Sequence, residues 1–180
     1  MYHIGANIYN RSIFTKTEML RGKIPSAGTR HAVNINGQTK EFVSVKLGAA
    51  TWVNGSVITI PTDVTGTSAT ASVPVKTEPV GGRLGILVIA SATATVTMSS
   101  TAFAWAQIFG QCMARASSTG VDSVGMLLCP GGALGSLHLQ VVGTASQHLN
   151  GITAVATGAA VGLLSVMLNY PAFVKTDELA

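Results

Sequence analysis

Charge is what this sequence has least of. Only 10% of its 180 residues are Asp, Glu, Lys or Arg, where a soluble globular chain carries about 25%. No charged residue occurs from Leu84 to Ala114 or from Ser123 to Val174, and only Arg115 and Asp122 lie between those stretches. Aromatic residues are few, at 6%, and the cysteines are two, Cys112 and Cys129. Two cysteines exclude a disulfide scaffold. They flank an expected hairpin, so a cross-strand disulfide and a pair of half-buried thiols both stay open, the thiols being the simpler reading. Twenty glycines with few charged helix formers exclude a helical bundle, because Gly in a helix interior costs about 1 kcal/mol. The first residues, Met1-Tyr2-His3-Ile4-Gly5, lack a basic region followed by an apolar run, so no secretory signal is expected.

Ala, Thr, Ser, Val and Gly fill the uncharged stretches, often in alternation, as in Ser91-Ala92-Thr93-Ala94-Thr95-Val96-Thr97-Met98. Such a pattern predicts small-residue β-strands, buried on one face and covered by something on the other. So little charge implies an outer surface largely occupied by other copies or other proteins.

Strand signals recur about every ten residues without intervening helical periods. They cover residues 41–47, 84–89, 93–98, 137–142 and 162–170, the last stopped by Pro171. Asn54-Gly55 predicts a hairpin between residues 51–53 and 56–60. Residues 108–116 and 123–129 form a second expected hairpin about the loop 117–122. Residues 65–72 suit a loop or a weak edge strand, and Pro74 and Pro79 bracket an edge segment. The expected fold is all-β, a small β-barrel or sandwich (residues 41–180) with an extended N-terminal arm (residues 1–40).

The arm carries Arg11, Lys16, Arg21, Lys23, Arg30 and Lys40 against Glu18 alone, +5 within a chain whose net charge is +4. Basic arms bind nucleic acid or acidic protein surfaces. Aromatics for base stacking are sparse here, so no nucleic acid is expected and protein docking is favoured. The expected contacts are Arg11, Phe14, Lys16, Arg21, Lys23 and Arg30, with the arm ordered only on its partner.

No catalytic constellation assembles. The histidines, His3, His31, His138 and His148, show no metal-ligand spacing, and His138 suits a sheet face. The seven carboxylates fall in expected loops, strand ends or termini. Residues 130–136 are rich in Gly but lack the Gly-Lys-Ser/Thr of a phosphate loop. Trp52 and Trp105 suit core or interface anchors. The expectation is a non-enzyme without cofactor or metal. Ile152 to Tyr170 is long and uncharged enough for a transmembrane helix and holds Gly158-Ala159-Ala160-Val161-Gly162. Its Thr153, Thr157 and Ser165, and equally charge-poor sequence upstream, argue against a span.

Residues 108–132, with Gly110, Ala114, Ala116, Gly120, Asp122, Val124, Leu127 or Leu128, Pro130 and Gly131 in order, resemble the C-terminal hairpin of small tailed-phage capsid decoration (cement) proteins. Val121 is an insertion between Gly and Asp. The basic arm and the residues after Gly132 have no counterpart in that pattern. The resemblance implies a structural virion protein, made in the host cytoplasm, that binds the outer surface of an icosahedral capsid. Its partners would be the major capsid protein and other copies of itself, with no membrane. The alternatives are a tail or fibre component, or a membrane-associated protein spanning with Ile152 to Tyr170.

Overall fold

A computed structural model describes residues 13–22, 24–60, 83–89, 95–97, 101–116, 124–125, 128–131, 136–139, 148–157 and 162–174. The fold is all-β. Its elements are β1 (Ile13–Thr15), a helical turn α1 (Lys16–Leu20), β2 (Arg30–Ile35), β3 (Gln38–Leu47), β4 (Thr51–Val53), β5 (Val57–Ile60) and β6 (Arg83–Val88). Then follow β7 (Thr95–Thr97), β8 (Ala102–Arg115), β9 (Leu128–Gly131), β10 (Ser136–Leu139), β11 (His148–Ala154) and β12 (Leu163–Val174). Eight strands form one antiparallel sheet, while β4 with β7 and β9 with β10 make two-stranded ribbons.

The hub is β8. One edge takes β3, from Leu47 opposite Ala102 to Glu41 opposite Phe109. The other takes β1 at residues 102–104, β6 at 105–107 and β12 at 109–115. Fourteen residues serve four neighbours because the strand bends at Gly110, where φ is +88°. Buried Gln107 supports the bend, its Nε2 donating to the carbonyls of Phe109 (3.0 Å) and Gln111 (3.1 Å). Gly55 ties the far end: its N–H donates to Leu87 O (2.9 Å), and its carbonyl accepts from Arg115 N–H (2.8 Å).

Alternation decides the packing. Even-numbered β8 residues Ala102, Ala104, Ala106 and Ile108 face Val43, Val45, Leu47, Trp52 and Ile58. The odd-numbered Phe103 and Trp105 point to the opposite face, where Phe14, Ile24 and Phe42 cover them. The register shift between Glu41 and Phe42 inverts the alternation of β8 past residue 108, so Cys112 and Ala114 lie on this second side, that of Gln107 and Ile86, and pack with Leu128, Leu137, Ile152, Leu164 and Val166. Small residues on β8 bring its neighbours close, and the second face is covered beside Phe103 and Trp105 by residues 13–29 of the chain itself.

Several expectations are thereby corrected. Within the segment expected as an arm to residue 40, β1 pairs with β8 and β2 with β3, while residues 16–22 and 24–29 form a helical turn and loops. Phe14, expected to touch a partner, is 3% exposed in this chain's own core. The cause is β1's pairing with β8, which places Phe14 opposite Phe103. Buried Ser44 holds the cover down: its Oγ donates to Ser26 O, its N–H to Thr29 O (3.0 Å), and its carbonyl accepts from Gly28 N–H (2.7 Å). Asn36-Gly37, with φ of 52° and 78°, makes the tight β2–β3 hairpin.

Asn54-Gly55 is a turn, with Ser56 N–H donating to Val53 O (3.2 Å), but it joins no hairpin. β4 pairs with β7, and β5 with β6. Asn54 Oδ1 accepts from Ile89 N–H (2.8 Å), directing the chain from ribbon to sheet. The expected hairpin of residues 108–116 and 123–129 is likewise replaced, since β8 pairs there with β12 and β9 with β10. Cys112 lies opposite Val166 and is a free, buried thiol. Burial pushes it up to about 12, against a smaller opposing effect of Lys40. The described residues of Ile152 to Tyr170 form no helix; they contribute to two paired antiparallel strands, β11 and β12. Among the described residues, no helix is long and apolar enough to cross a membrane. Pro171 does not stop β12, which runs to Val174. A register shift between Asn150 and Ile152, with Gly151 at φ +78° and Tyr170 at φ +47°, absorbs the proline. Residues 65–72 and the Pro74–Pro79 bracket lie outside the described residues.

Candidate interaction surface

Past the register shift between Glu41 and Phe42, the odd-numbered residues of β8 project from the side of Ala104 and Ala106, opposite to the one that Phe14 and Ile24 cover. Cross-strand pairing sets Met113 opposite Ser165, and Gln111 opposite Met167, which in turn stands opposite Thr153 of β11. Directly opposed residues project from the same side, so these five form one continuous patch. Met113 is 47% and Met167 43% exposed. Gln111 Nε2 donates to Ser165 Oγ (2.9 Å), and Gln38 Nε2 reaches Gln111 Oε1 (3.5 Å). The patch is uncharged, with half-exposed Arg115 at one end and Glu41 at the other.

A surface of this kind suits contact with protein. Protein interface cores are depleted in charge and enriched in Met and aromatic residues. Flexible thioethers fit an irregular partner, and amides and hydroxyls find partners without the cost of burying a charge. Strand alternation in residues 163–169 carries the signal in the sequence, with Leu164, Val166 and Leu168 inward and Ser165 and Met167 outward. What stands beside Ser165 and Met167 is set by pairing with β8 and β11, which the local pattern does not carry.

Of the basic residues expected to bind a partner, Arg21 and Arg30 have described side chains. Arg21 is exposed just after α1, and its N–H donates to Thr17 O (3.0 Å). Arg30 is exposed at the start of β2. Lys16 opens α1. Arg11 and Lys23 lie outside the described residues. Leu20, beside Arg21, is 72% exposed, which gives this end of the cover an apolar as well as a cationic contact.

His31 sits at the edge of the covered face, its ring edge-on to Trp105 with centroids 5.2 Å apart and planes at 87°. Among the described residues, neither His31 Nε2 nor Trp105 Nε1 has a hydrogen-bond partner, whereas Trp52 Nε1 donates to Gly48 O (3.0 Å). Desolvation holds the His31 imidazole below its ordinary 6.5. The unfolded chain therefore takes up this proton at higher pH than the folded one. The stability is complete above about pH 6.5 and declines as pH falls through the interval just below. Thermal midpoints at pH 7 and pH 5 should fall further in the wild type than in His31→Gln. Equal falls would mean that His31 does not contribute.

Among the described residues no group of three or more His, Cys, Asp or Glu converges where a metal could sit. In comparison with known proteins, the chain matches no family model and no curated protein.

Proposed function

We propose that this chain is a structural virion protein, a non-enzyme that binds an icosahedral phage capsid from outside and stabilises it. The uncharged, methionine-bearing patch on β8, β11 and β12 carries the reading. Support also comes from the small-residue, charge-poor composition of residues 84–114 and 123–174 and from the resemblance of residues 108–132 to decoration proteins. The partners would be the major capsid protein and neighbouring copies of this chain. Nucleic acid and membrane have no part in it.

In this reading the patch supplies the salt-insensitive contact. Leu20 and the cations at Arg21 and Arg30, with Arg11, Lys16 and Lys23 of the same segment, supply a second one against an acidic surface. Exposed ion pairs are each worth less than about 1 kcal/mol, so that share depends on several acting together and weakens with salt. Each copy adds little, and icosahedral symmetry repeats it many times.

The test is to strip particles of this protein and add it back. Stripped particles should disrupt at lower temperature, and added protein should restore the midpoint. Met113→Asp/Met167→Asp should fold normally yet fail to rebind. Unchanged particle stability, or density for the protein on a tail or fibre, would overturn the capsid reading.

A further inference from the structure

Tyr170 is a bulky residue in the left-handed region, with φ of +47°, where side chains other than Gly are rare. Strain of this kind persists only when surrounding structure enforces it, and it concentrates at binding and catalytic sites. Here the enforcement is visible. Gly151, at φ +78°, lets β11 approach so closely that a Cβ there would run into Asn169 O. The resulting irregularity breaks the alternation of β12: Asn169 and Tyr170 are both exposed, while Pro171 is buried.

Tyr170 consequently lies on the same side as the rung formed by Glu41, Phe109 and Asn169, which stand directly opposite one another on β3, β8 and β12. Its ring stacks on Phe109, with centroids 5.3 Å apart and planes at 29°. Its hydroxyl donates to Glu41 Oε1 at 2.9 Å. The ring is thus fixed at both ends and still 48% exposed. An aromatic group immobilised before binding loses little further freedom when a ligand stacks on it.

We infer that Tyr170, braced by Phe109 and Glu41, is a stacking platform for a neutral saccharide. A pyranose offers a flat C–H face to the ring and hydroxyl donors at its rim. The Glu41 carboxylate accepts from such hydroxyls, and the exposed Asn169 amide both donates and accepts. The carboxylate beside the ring repels a phosphodiester chain, which disfavours a stacked nucleobase. The capsid reading does not require this site, and the site does not require the capsid reading.

If Tyr170 serves only to tie β3 to β12, its hydroxyl matters most; if it is a platform, its ring does. Isotope-labelled full-length protein should be titrated with neutral trisaccharides of glucose, galactose, mannose and N-acetylglucosamine, following the resonances of Tyr170, Phe109 and Asn169. At least one sugar should produce saturable shifts there. Tyr170→Ala should weaken binding about tenfold or more, and Tyr170→Phe by no more than about threefold, a tenfold change being 1.4 kcal/mol. Should Tyr170→Ala fail to fold, Asn169→Ala at an exposed position supplies the comparison and should also weaken binding. The proposal is overturned if no trisaccharide shifts these resonances, or if the shifts persist undiminished in the variants. It is also overturned if oligothymidylate shifts them and the sugars do not.

Discussion

Deleting residues 1–30 is expected to unfold this protein rather than trim a tether from it. The deletion removes β1, with its three registered partners on β8, and the buried Phe14 and Ile24. It also removes the Ser26, Gly28 and Thr29 groups bonded to Ser44. Truncating a buried Phe costs about 3–5 kcal/mol and a buried Ile about 2–5. Those two losses alone rival the 5–15 kcal/mol that typically separates folded from unfolded domains. A detachable arm would instead have left a folded β domain. The single change Phe14→Ala should lower stability by about 3–5 kcal/mol, read as a shifted denaturant midpoint with an unchanged slope. If the protein lacking residues 1–30 melted cooperatively near the wild-type temperature, the cover would contribute little to the core.

The second large effect is expected at Gly110. Its φ of +88° alone disfavours any other residue, and a Cβ would stand 2.6 Å from Thr39 O, a backbone atom that cannot rotate aside. The conformational penalty is about 1 kcal/mol. With the clash, Gly110→Ala should cost about 3–5 kcal/mol, which puts it among the rare severe substitutions. Gly37, also at positive φ (+78°) but with nothing within 4 Å of a Cβ, is the control. Gly37→Ala should show the conformational penalty and no more. Equal losses at the two sites would mean that the bend at Gly110 yields, and that β8 need not pass so close to β3.

Strands were legible where their cause is local. Residues 41–47 alternate in part, 84–89 are a compact apolar run and 162–170 a long uncharged one ended by Pro171, and β3, β6 and β12 lie there, because such patterns are properties of a few consecutive residues. The Asn54-Gly55 turn was legible for the same reason, since two small residues settle the backbone. Asn36-Gly37 carries the same signal and was passed over because the positive charge around it suggested an arm. Charge, however, speaks only of exposure: Arg30 points outward from a strand whose alternate residues, His31 and Val33, are half-buried.

The candidate surface was only half legible. That an uncharged face would stand exposed followed from composition. Which face it was did not, because a register shift between Glu41 and Phe42 moves the odd-numbered residues of β8 from the covered side to the other one. Tyr170 gave no signal, since its αL conformation depends on Gly151 in another strand.

By itself the sequence determined that the protein is β-rich, poor in charge and built of small residues that pack strands closely, because composition and period act within each segment. Only the tertiary structure decided which strands pair. Turns propose neighbours, yet β4 leaves its expected partner for β7, and β8 takes β3 and β12 in place of the strand that follows it. Those choices rest on matching surfaces distant in the chain. Burying Phe14 and Ile24 against Trp105 is worth more than local hydrogen bonds that water can replace.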